Sequence, residues 1–240
     1  GQFGIAVATR FFAVGARVPY ITAGFGAIAT QALVNPYYGI DGLALLRGGK
    51  SPHDAIAALI ASDSGRESRQ LHVMDAKGRI AAHSGKDCID WFGHIAGDGF
   101  SIAGNMLAGP AVLDETARAY VANEKLPFAE RLIKAMFAGE AAGGDKRGRQ
   151  SAALKIYRDQ DYAWLDIRAD DHIDPLAELR RLYAVAQERF LHVAETMPTR
   201  DNPHGLTDRR LIDEKIAALE AARIAEGRPS PSFATPLKPA

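Results

Sequence analysis

The first 35 residues constrain the fold most, because apolar β-forming residues are interspersed there with glycine. Residues 3–7 (FGIAV) predict one strand that continues with a bend through residues 9–12, and residues 18–21 and 26–33 predict short buried strand or turn segments. Gly24 and Gly26 resemble part of a phosphate-binding G-x-G pattern, but the third glycine and a directly following helix are missing. We therefore interpret these glycines as places where strands approach each other closely.

Downstream, hairpin-joined strands alternate with pairs of helices. Ser51 and Pro52 predict a helix start, as an N-cap serine followed by proline in the first turn. Residues 69–83 predict a hairpin, and residues 151–168 predict a final antiparallel strand pair. A doubly wound sheet would instead alternate single strands and helices. The order predicts an α+β fold with two antiparallel sheets packed between helical layers.

Three local predictions concern the later part of the chain. Residues 100–102 are predicted as a strand that ends before a Gly-Asn pair. Residues 91–94 (WFGH) are predicted as a loop, which either covers a pocket or packs into the core. Residues 174–194 are predicted as one long helix that starts at an Asp-Pro pair.

The chain is expected to divide into a main domain at residues 1–195 and an extension at residues 196–240. The extension combines a linker with a charged helix over residues 207–225, whose apolar stripe suggests self-association and a homo-oligomer as one hypothesis. A proline-rich tail at residues 229–240 is expected to be disordered or to lie on another surface.

Composition excludes several classes of function. The 240 residues include 29 basic and 29 acidic side chains, so neither nucleic acid nor a membrane surface is an expected partner. Cys88 is the single cysteine, which excludes an internal disulfide and a thiolate metal cluster and indicates a reducing, cytoplasmic compartment. No apolar run reaches the ~18–20 residues needed to span a bilayer.

Two short polar stretches are candidates for a binding site. Thr30, Gln31 and Asn35 adjoin apolar residues, and burying such groups without hydrogen bonds costs about 1–3 kcal/mol. They therefore either bond to neighbouring backbone or line a pocket. Gly104 and Asn105 come at a predicted strand end, where a side-chain amide and backbone N–H groups can hold an oxyanion. The alternative is an asparagine that caps a turn.

The densest polar cluster is the segment 143–151 (GGDKRGRQS). It leads directly into a predicted strand, so it is expected at the edge of a sheet. Arg147 beside Asp145 is suited to binding a substrate carboxylate through two parallel hydrogen bonds. The alternative is a solvated basic loop.

Other catalytic and metal-binding arrangements are not indicated. The chain has no G-x-S-x-G motif, and Ser101 has no evident histidine or aspartate partner. His72 is expected on a sheet face. His172 with its neighbouring aspartates matches no common metal-site spacing. We therefore expect neither a metal nor a cofactor.

Five motifs occur along the chain in this order: GQFGIAVATRFFAVG, ATQA at residues 29–32, DSGRESRQ at residues 63–70, GNML at residues 104–107 and AGGDKRGRQSAA at residues 142–153. Together they resemble the DUF1028 family, which is grouped with the N-terminal nucleophile (Ntn) hydrolases. The resemblance covers about residues 1–182 and implies a four-layer αββα sandwich for the main domain, to which the predicted C-terminal helical extension is added. It also implies hydrolysis of amide bonds.

In Ntn chemistry an N-terminal threonine, serine or cysteine attacks a carbonyl, and its own α-amino group takes the proton. Family members typically begin Met-Thr-Phe-Ser, and the strand matching residues 4–8 follows after a turn. The resemblance therefore implies a first strand and a nucleophilic threonine upstream of Gly1. The remaining interpretation is a catalytically inactive relative.

The resemblance and the polar clusters together define candidate roles. Asn105 with the Gly104 backbone is the oxyanion candidate, and Asp145 and Arg147 are candidates for orienting the amine or a substrate carboxylate. Thr30, Gln31 and Asn35 are candidates for lining the pocket. The predicted function is an amidohydrolase for a small amide, ureido or acyl-amino compound. The alternative is a non-catalytic protein that binds a small molecule or serves assembly on the same fold.

Overall fold

The glycine-rich start of the chain forms three strands in the computed structural model, which describes residues 1–234. They are β1 (Phe3–Thr9), β2 (Pro19–Thr22) and β3 (Gly26–Ala32). A Cβ atom on Gly26 would collide with the backbone oxygen of Met74 on the next strand. The predicted close approach of strands is confirmed at this glycine.

The remaining strands complete three antiparallel groups within the described residues. They are β4 (Arg69–Asp75), β5 (Ile80–Ser84), β6 (Trp91–Gly97), β7 (Phe100–Leu107), β8 (Ser151–Tyr157) and β9 (Leu165–Ala169). One sheet has the order β1-β8-β9, a second has the order β2-β3-β4-β5, and β6 pairs with β7. The fold is therefore mixed α+β with antiparallel sheets.

Helices occur in sequential pairs, as the sequence predicts. At the start of the second helix, the Ser51 hydroxyl accepts a hydrogen bond from the Asp54 backbone N–H at 3.1 Å, so the predicted N-cap is confirmed. The helices are α1 (Pro36–Arg47), α2 (Pro52–Ala61), α3 (Ala111–Ala122), α4 (Phe128–Ala141), α5 (Pro175–Glu188), α6 (Phe190–Ala194) and α7 (Arg210–Ala225).

The two faces of the four-stranded sheet pack against different partners. Ile28 belongs to a core cluster with residues of α1 and α2. Ala27 and Ala29, which point to the opposite face, pack with Phe3 and Val14 from β1 and the turn after it. On the far side of β1 and β7 lie α4 and α3, respectively. Both faces of the four-stranded sheet are thus buried along the first five residues of β3, within the unit Gly1–Leu179.

Three local predictions are corrected by the structure. The segment WFGH is not a loop but the start of β6, because it pairs with β7 through Trp91↔Leu107 and His94↔Ala103. The same pairing extends β7 through Gly104 and Asn105, well beyond residue 102. The predicted long helix is interrupted at Arg189, whose φ of −142° is not helical. No glycine or proline marks this break in the sequence.

Among the described residues, those from Arg180 onward form a second compact unit. Of the predicted apolar stripe on α7, Ile216 is buried, whereas Leu211 is 78% exposed. In the first part of the proline-rich tail, the Pro231 carbonyl accepts a hydrogen bond from Arg181, and the Arg181 guanidinium stacks on Phe233. The rest of that tail, residues 235–240, lies outside the described residues.

Candidate functional site

A cavity of about 640 Å³ separates the edges of β1 and β7. Every residue of both strands lines it. Within the described residues, β1 pairs only with β8 and β7 pairs only with β6 in the sheets, so each strand has a second edge without a strand partner. The cavity therefore lies between two strand edges that retain backbone hydrogen-bonding capacity.

The two ends of the cavity differ in character. Its apolar end is lined by side chains of β1, β7, α3 and α4, among them Phe3, Ile5, Phe100, Leu113, Leu132 and Met136. Its polar end lies where β1, β3 and β7 finish, and an isolated bridge there joins Leu107 to Asp145. We call the following five residues the polar end: Thr9, Gln31, Asn105, Asp145 and Arg147.

Asp145 organises one side of the polar end. Its Oδ1 accepts hydrogen bonds from the Arg147 backbone N–H at 3.0 Å and from Arg147 Nε at 2.9 Å. Its Oδ2 accepts from Arg147 Nη2 at 2.6 Å, from Thr9 Oγ1 at 3.2 Å and from the Arg10 N–H at 3.1 Å. Burial alone would raise the pKa of Asp145, but these hydrogen bonds outweigh it and lower the pKa. Asp145 is therefore an ionised anchor for Arg147 and Thr9.

A chain of three side-chain amides forms the other side. Gln70 on β4 is completely buried, and its Oε1 accepts from Gln31 Nε2 at 2.7 Å and from Asn105 Nδ2 at 3.4 Å. Gln70 thereby fixes two amides that line the cavity. Its own Nε2 is directed at three acceptors, which are Ser84 Oγ at 2.9 Å, the Gly93 oxygen at 3.0 Å and the Gly104 oxygen at 3.1 Å.

Backbone strain marks the same two amides. Ala32, which follows Gln31, has a φ of 64°, and Met106, which follows Asn105, has a φ of 54°. Residues other than glycine pay about 1–2 kcal/mol for this left-handed conformation. Such strain concentrates at functional sites, where surrounding structure maintains it.

The part of the chain that contains this cavity matches a known protein family. A family model described as a family of unknown function (DUF1028) matches residues 1–179. The chain belongs to DUF1028. A crystal structure of the DUF1028 protein SPO2555 from Silicibacter pomeroyi is 32% identical, with a TM-score of 0.80 over 86% of this chain and 90% of that chain. A comparison with curated proteins gives no match.

Four of the motifs that carry the DUF1028 resemblance meet at the polar end. GQFGIAVATRFFAVG supplies Thr9, ATQA supplies Gln31, GNML supplies Asn105, and AGGDKRGRQSAA supplies Asp145 and Arg147. The fifth, DSGRESRQ, ends in Gln70, which hydrogen-bonds both Gln31 and Asn105. The segments are far apart in sequence, so their meeting is a property of the fold.

Thr30 and Asn35 lie away from the cavity in this DUF1028 chain. Thr30 Oγ1 donates to the Asn35 backbone oxygen at 3.3 Å, and Asn35 Oδ1 accepts from the Tyr37 N–H as the N-cap of α1. Asn35 Nδ2 also reaches Asp63 Oδ2 at 3.4 Å. Thr30 therefore follows the local-bonding alternative and Gln31 the pocket alternative. Asn35 caps α1 and also lines a separate, smaller pocket beside Asp63.

Ser101 does have a histidine partner, contrary to the sequence interpretation. His72 Nδ1 lies 2.9 Å from Ser101 Oγ, and both residues line the cavity. Burial, with a smaller contribution from nearby His94, lowers the pKa of His72 to about 4. His72 is therefore neutral at pH 7. Strand alternation could have predicted that His72 lies on the same face of β4 as Gln70, because residues two positions apart in a strand point to the same side.

Within residues 1–234, no group of three or more histidine, cysteine, aspartate or glutamate side chains is arranged to hold a metal ion. None of the helices in that range is long and apolar enough to cross a membrane. The polar end thus offers carboxylate, guanidinium, hydroxyl and amide groups.

Proposed function

We propose that this DUF1028 protein is an amidohydrolase of the Ntn type that acts on a small amide, ureido or acyl-amino compound. The proposal takes the fold as a four-layer αββα sandwich. It is supported by the pairs α1–α2 and α3–α4, which pack outside the strands, and by β1 and β7, which face the sheet of β3 and β4. The small-molecule substrate needs no cofactor for this chemistry, and the proposed compartment is the cytoplasm.

The cavity between β1 and β7 is the observation that carries the proposal. An extended strand placed there would find a free edge on each side and would join β9-β8-β1 to β7-β6 in one sheet. A strand connected to β1 by a tight turn at Gly1 would run antiparallel to β1. Its N-terminal residue would then lie at the polar end, beside Thr9 and Asp145.

An N-terminal threonine in that position could perform the whole reaction. Its Oγ attacks the amide carbonyl carbon while its α-amino group accepts the hydroxyl proton. The same proton passes to the leaving nitrogen when the C–N bond breaks, which leaves an ester on the threonine. Water, deprotonated by the α-amine, then hydrolyses that ester and releases the acid.

The polar end provides the supporting groups for these steps. One N–H of Asn105 is held by Gln70, and the other can donate to the oxyanion that forms on the carbonyl oxygen. Asp145 binds Arg147 through Nε and Nη2, so this arginine is already neutralised. In the proposal, Asp145 and Arg147 orient the threonine α-amine.

The test is to express the coding sequence with any residues encoded upstream of Gly1. Mass spectrometry of the mature protein should find an N-terminal threonine, and a panel of small amides and ureido compounds should release amine or ammonia. Alanine in place of that threonine should reduce the rate by about a thousandfold or more. Ser101→Ala is the matched control, because Ser101 is the cavity hydroxyl beside a histidine, and it should retain activity.

Two outcomes would contradict the proposal. If no threonine precedes Gly1, the chemistry has no nucleophile. If the threonine-bearing protein hydrolyses nothing and the alanine variant still binds ligands, the site serves non-catalytic small-molecule binding or assembly instead.

A further inference from the structure

The orientation of the buried amide chain follows from two backbone carbonyls. Gly93 and Gly104 each present an oxygen to the side chain of Gln70, and a carbonyl oxygen can only accept. Gln70 must therefore direct its NH₂ group toward them and its Oε1 the other way. With Oε1 facing Gln31 and Asn105, each of those amides must direct an N–H at Gln70.

This leaves the same two groups on both cavity-lining amides. Gln31 and Asn105 each use one N–H on Gln70 and keep a second N–H and a carbonyl oxygen. Among the described residues, no other side chain hydrogen-bonds either amide, and both are only partly buried. The polar end therefore presents paired donors and acceptors from β3 and β7.

The charged residues at the polar end also favour a neutral ligand over a carboxylate. Arg147 would attract a carboxylate, but Asp145 accepts hydrogen bonds from its Nε and Nη2, and Nη2 also donates to Thr9 Oγ1. Neither edge of the guanidinium therefore has two free N–H groups to bind a carboxylate through parallel hydrogen bonds. A carboxylate has no donor, so it would leave both amide oxygens unpaired and place negative charge beside them. A carboxamide or a urea offers N–H and C=O together.

We propose that Gln31 and Asn105 form a binding site for a neutral carboxamide or ureido group, oriented by Gln70. Ala32 and Met106, which directly follow these two amides, have left-handed φ angles that the surrounding structure maintains at the ends of the two strands. The inference narrows the substrate class of the proposed amidohydrolase. It rests on that proposal only in treating the bound group as a substrate. Binding itself requires no nucleophile.

The experiment compares three head groups on matched apolar tails: hexanamide, hexylurea and hexanoate. Each is titrated at pH 7 into the protein expressed with any residues encoded upstream of Gly1, and binding is followed by NMR of the ligand and of the ¹⁵N-labelled side-chain amides. We expect the two neutral ligands to bind at least fivefold more tightly than hexanoate. They should also shift the Gln31 and Asn105 side-chain resonances. Equal or tighter binding of hexanoate would overturn the inference.

Variants separate amide recognition from the general cost of moving a carboxylate into an apolar cavity. Asn105→Leu and Gln31→Leu remove the donors and acceptors at half-buried positions, and each should weaken hexanamide binding at least fivefold. Asn123→Leu, the same kind of change at a half-buried amide that does not line the cavity, should change it less than twofold. If hexanamide binds both leucine variants as tightly as the wild type, the amides do not recognise the head group. Should one leucine variant fail to fold, the other gives the same readout.

The result is distinguishable from the test of hydrolysis. A preference for neutral head groups without any hydrolysis would support this site and count against the enzyme. Hydrolysis without that preference would support the enzyme and overturn this site.

Discussion

Two aspartate–arginine clusters in this molecule use the same local chemistry for different ends. Asp63 accepts from the N–H of Gly65 two residues later and from Arg69 Nε. Asp145 likewise accepts from the N–H of Arg147 two residues later and from its guanidinium. Both carboxylates are well covered, with 14% and 10% of the side chain exposed. Hydrogen bonds lower the pKa of both.

The clusters differ in where the arginine lies. Arg69 is 17% exposed and also donates to the Leu33 backbone oxygen, so it closes the end of α2 onto the segment after β3. Arg147 is 37% exposed and lines the cavity. Asp63 therefore binds a mostly buried arginine and stabilises the fold, whereas Asp145 holds a more exposed arginine in position at the cavity.

The largest expected effect is the loss of stability in Asp63→Asn. This change leaves Arg69 and the buried Tyr38 hydroxyl, which donates to Asp63 at 2.7 Å, with a weaker partner. Breaking a buried ion pair on one side costs about 3–5 kcal/mol, and we expect about 2–4 here because asparagine keeps one acceptor. Urea unfolding measures it. The control is Asp208→Asn, which removes an exposed Asp–Arg pair and should leave the urea midpoint of unfolding unchanged. An equal loss of stability in the control would contradict the stabilising role of Asp63.

The next largest effect is the loss at low pH of the stability that the Asp63 cluster contributes. Arg69, Tyr38 and the Gly65 N–H hold the pKa of Asp63 far below its usual 3.8 in the folded chain. The unfolded chain therefore takes up that proton first, and the stability due to Asp63 is present above about pH 4 and lost as the pH falls further. The difference in unfolding free energy between the wild type and Asp63→Asn should narrow from pH 5 to pH 2. A constant difference would contradict this linkage.

Asp145→Asn should cost less stability and change ligand preference instead. Water can reach the half-exposed Arg147, so we expect a loss of about 1–2 kcal/mol in urea unfolding. The freed guanidinium fork should then raise hexanoate affinity about three- to tenfold, while Asp63→Asn leaves it unchanged. NMR titration of both variants checks this. If the hexanoate affinity rises equally in both variants, the Asp145 cluster has no binding role that the Asp63 cluster lacks.

How far the sequence predicts these features depends on the distance between interacting residues. The Ser51 cap and the hairpin of β4 and β5 are local, and residue type alone identifies them. The site residues Gln31 and Asn105 were expected from their polarity. Gln70, which joins them, appeared only as the last residue of the DSGRESRQ motif and was not predicted as a site residue. Its partners lie 39 and 35 positions away, and only strand pairing brings them together.

Strand alternation could have separated one pair of candidates in advance. Thr30 and Gln31 are adjacent on β3, so their side chains must point to opposite faces, and both could not line the same cavity. The break at Arg189 and the pairing of WFGH into β6 carry no such signal. Tertiary packing decides them.

The smallest effects come from removing one hydroxyl from each cluster. Tyr38→Phe takes a buried donor from Asp63 at 2.7 Å, and we expect a loss of about 1–1.5 kcal/mol in urea unfolding. Thr9→Val takes a longer bond from Asp145, at 3.2 Å, in a carboxylate that Arg147 already satisfies, so about 0.5 kcal/mol or less is expected. Thr9→Val should nevertheless shift the ¹⁵N resonance of the Arg147 Nε, because Arg147 Nη2 also donates to the Thr9 hydroxyl at 3.3 Å. A reversed order of the two losses would mean that the polar end, not the Asp63 cluster, holds the fold together.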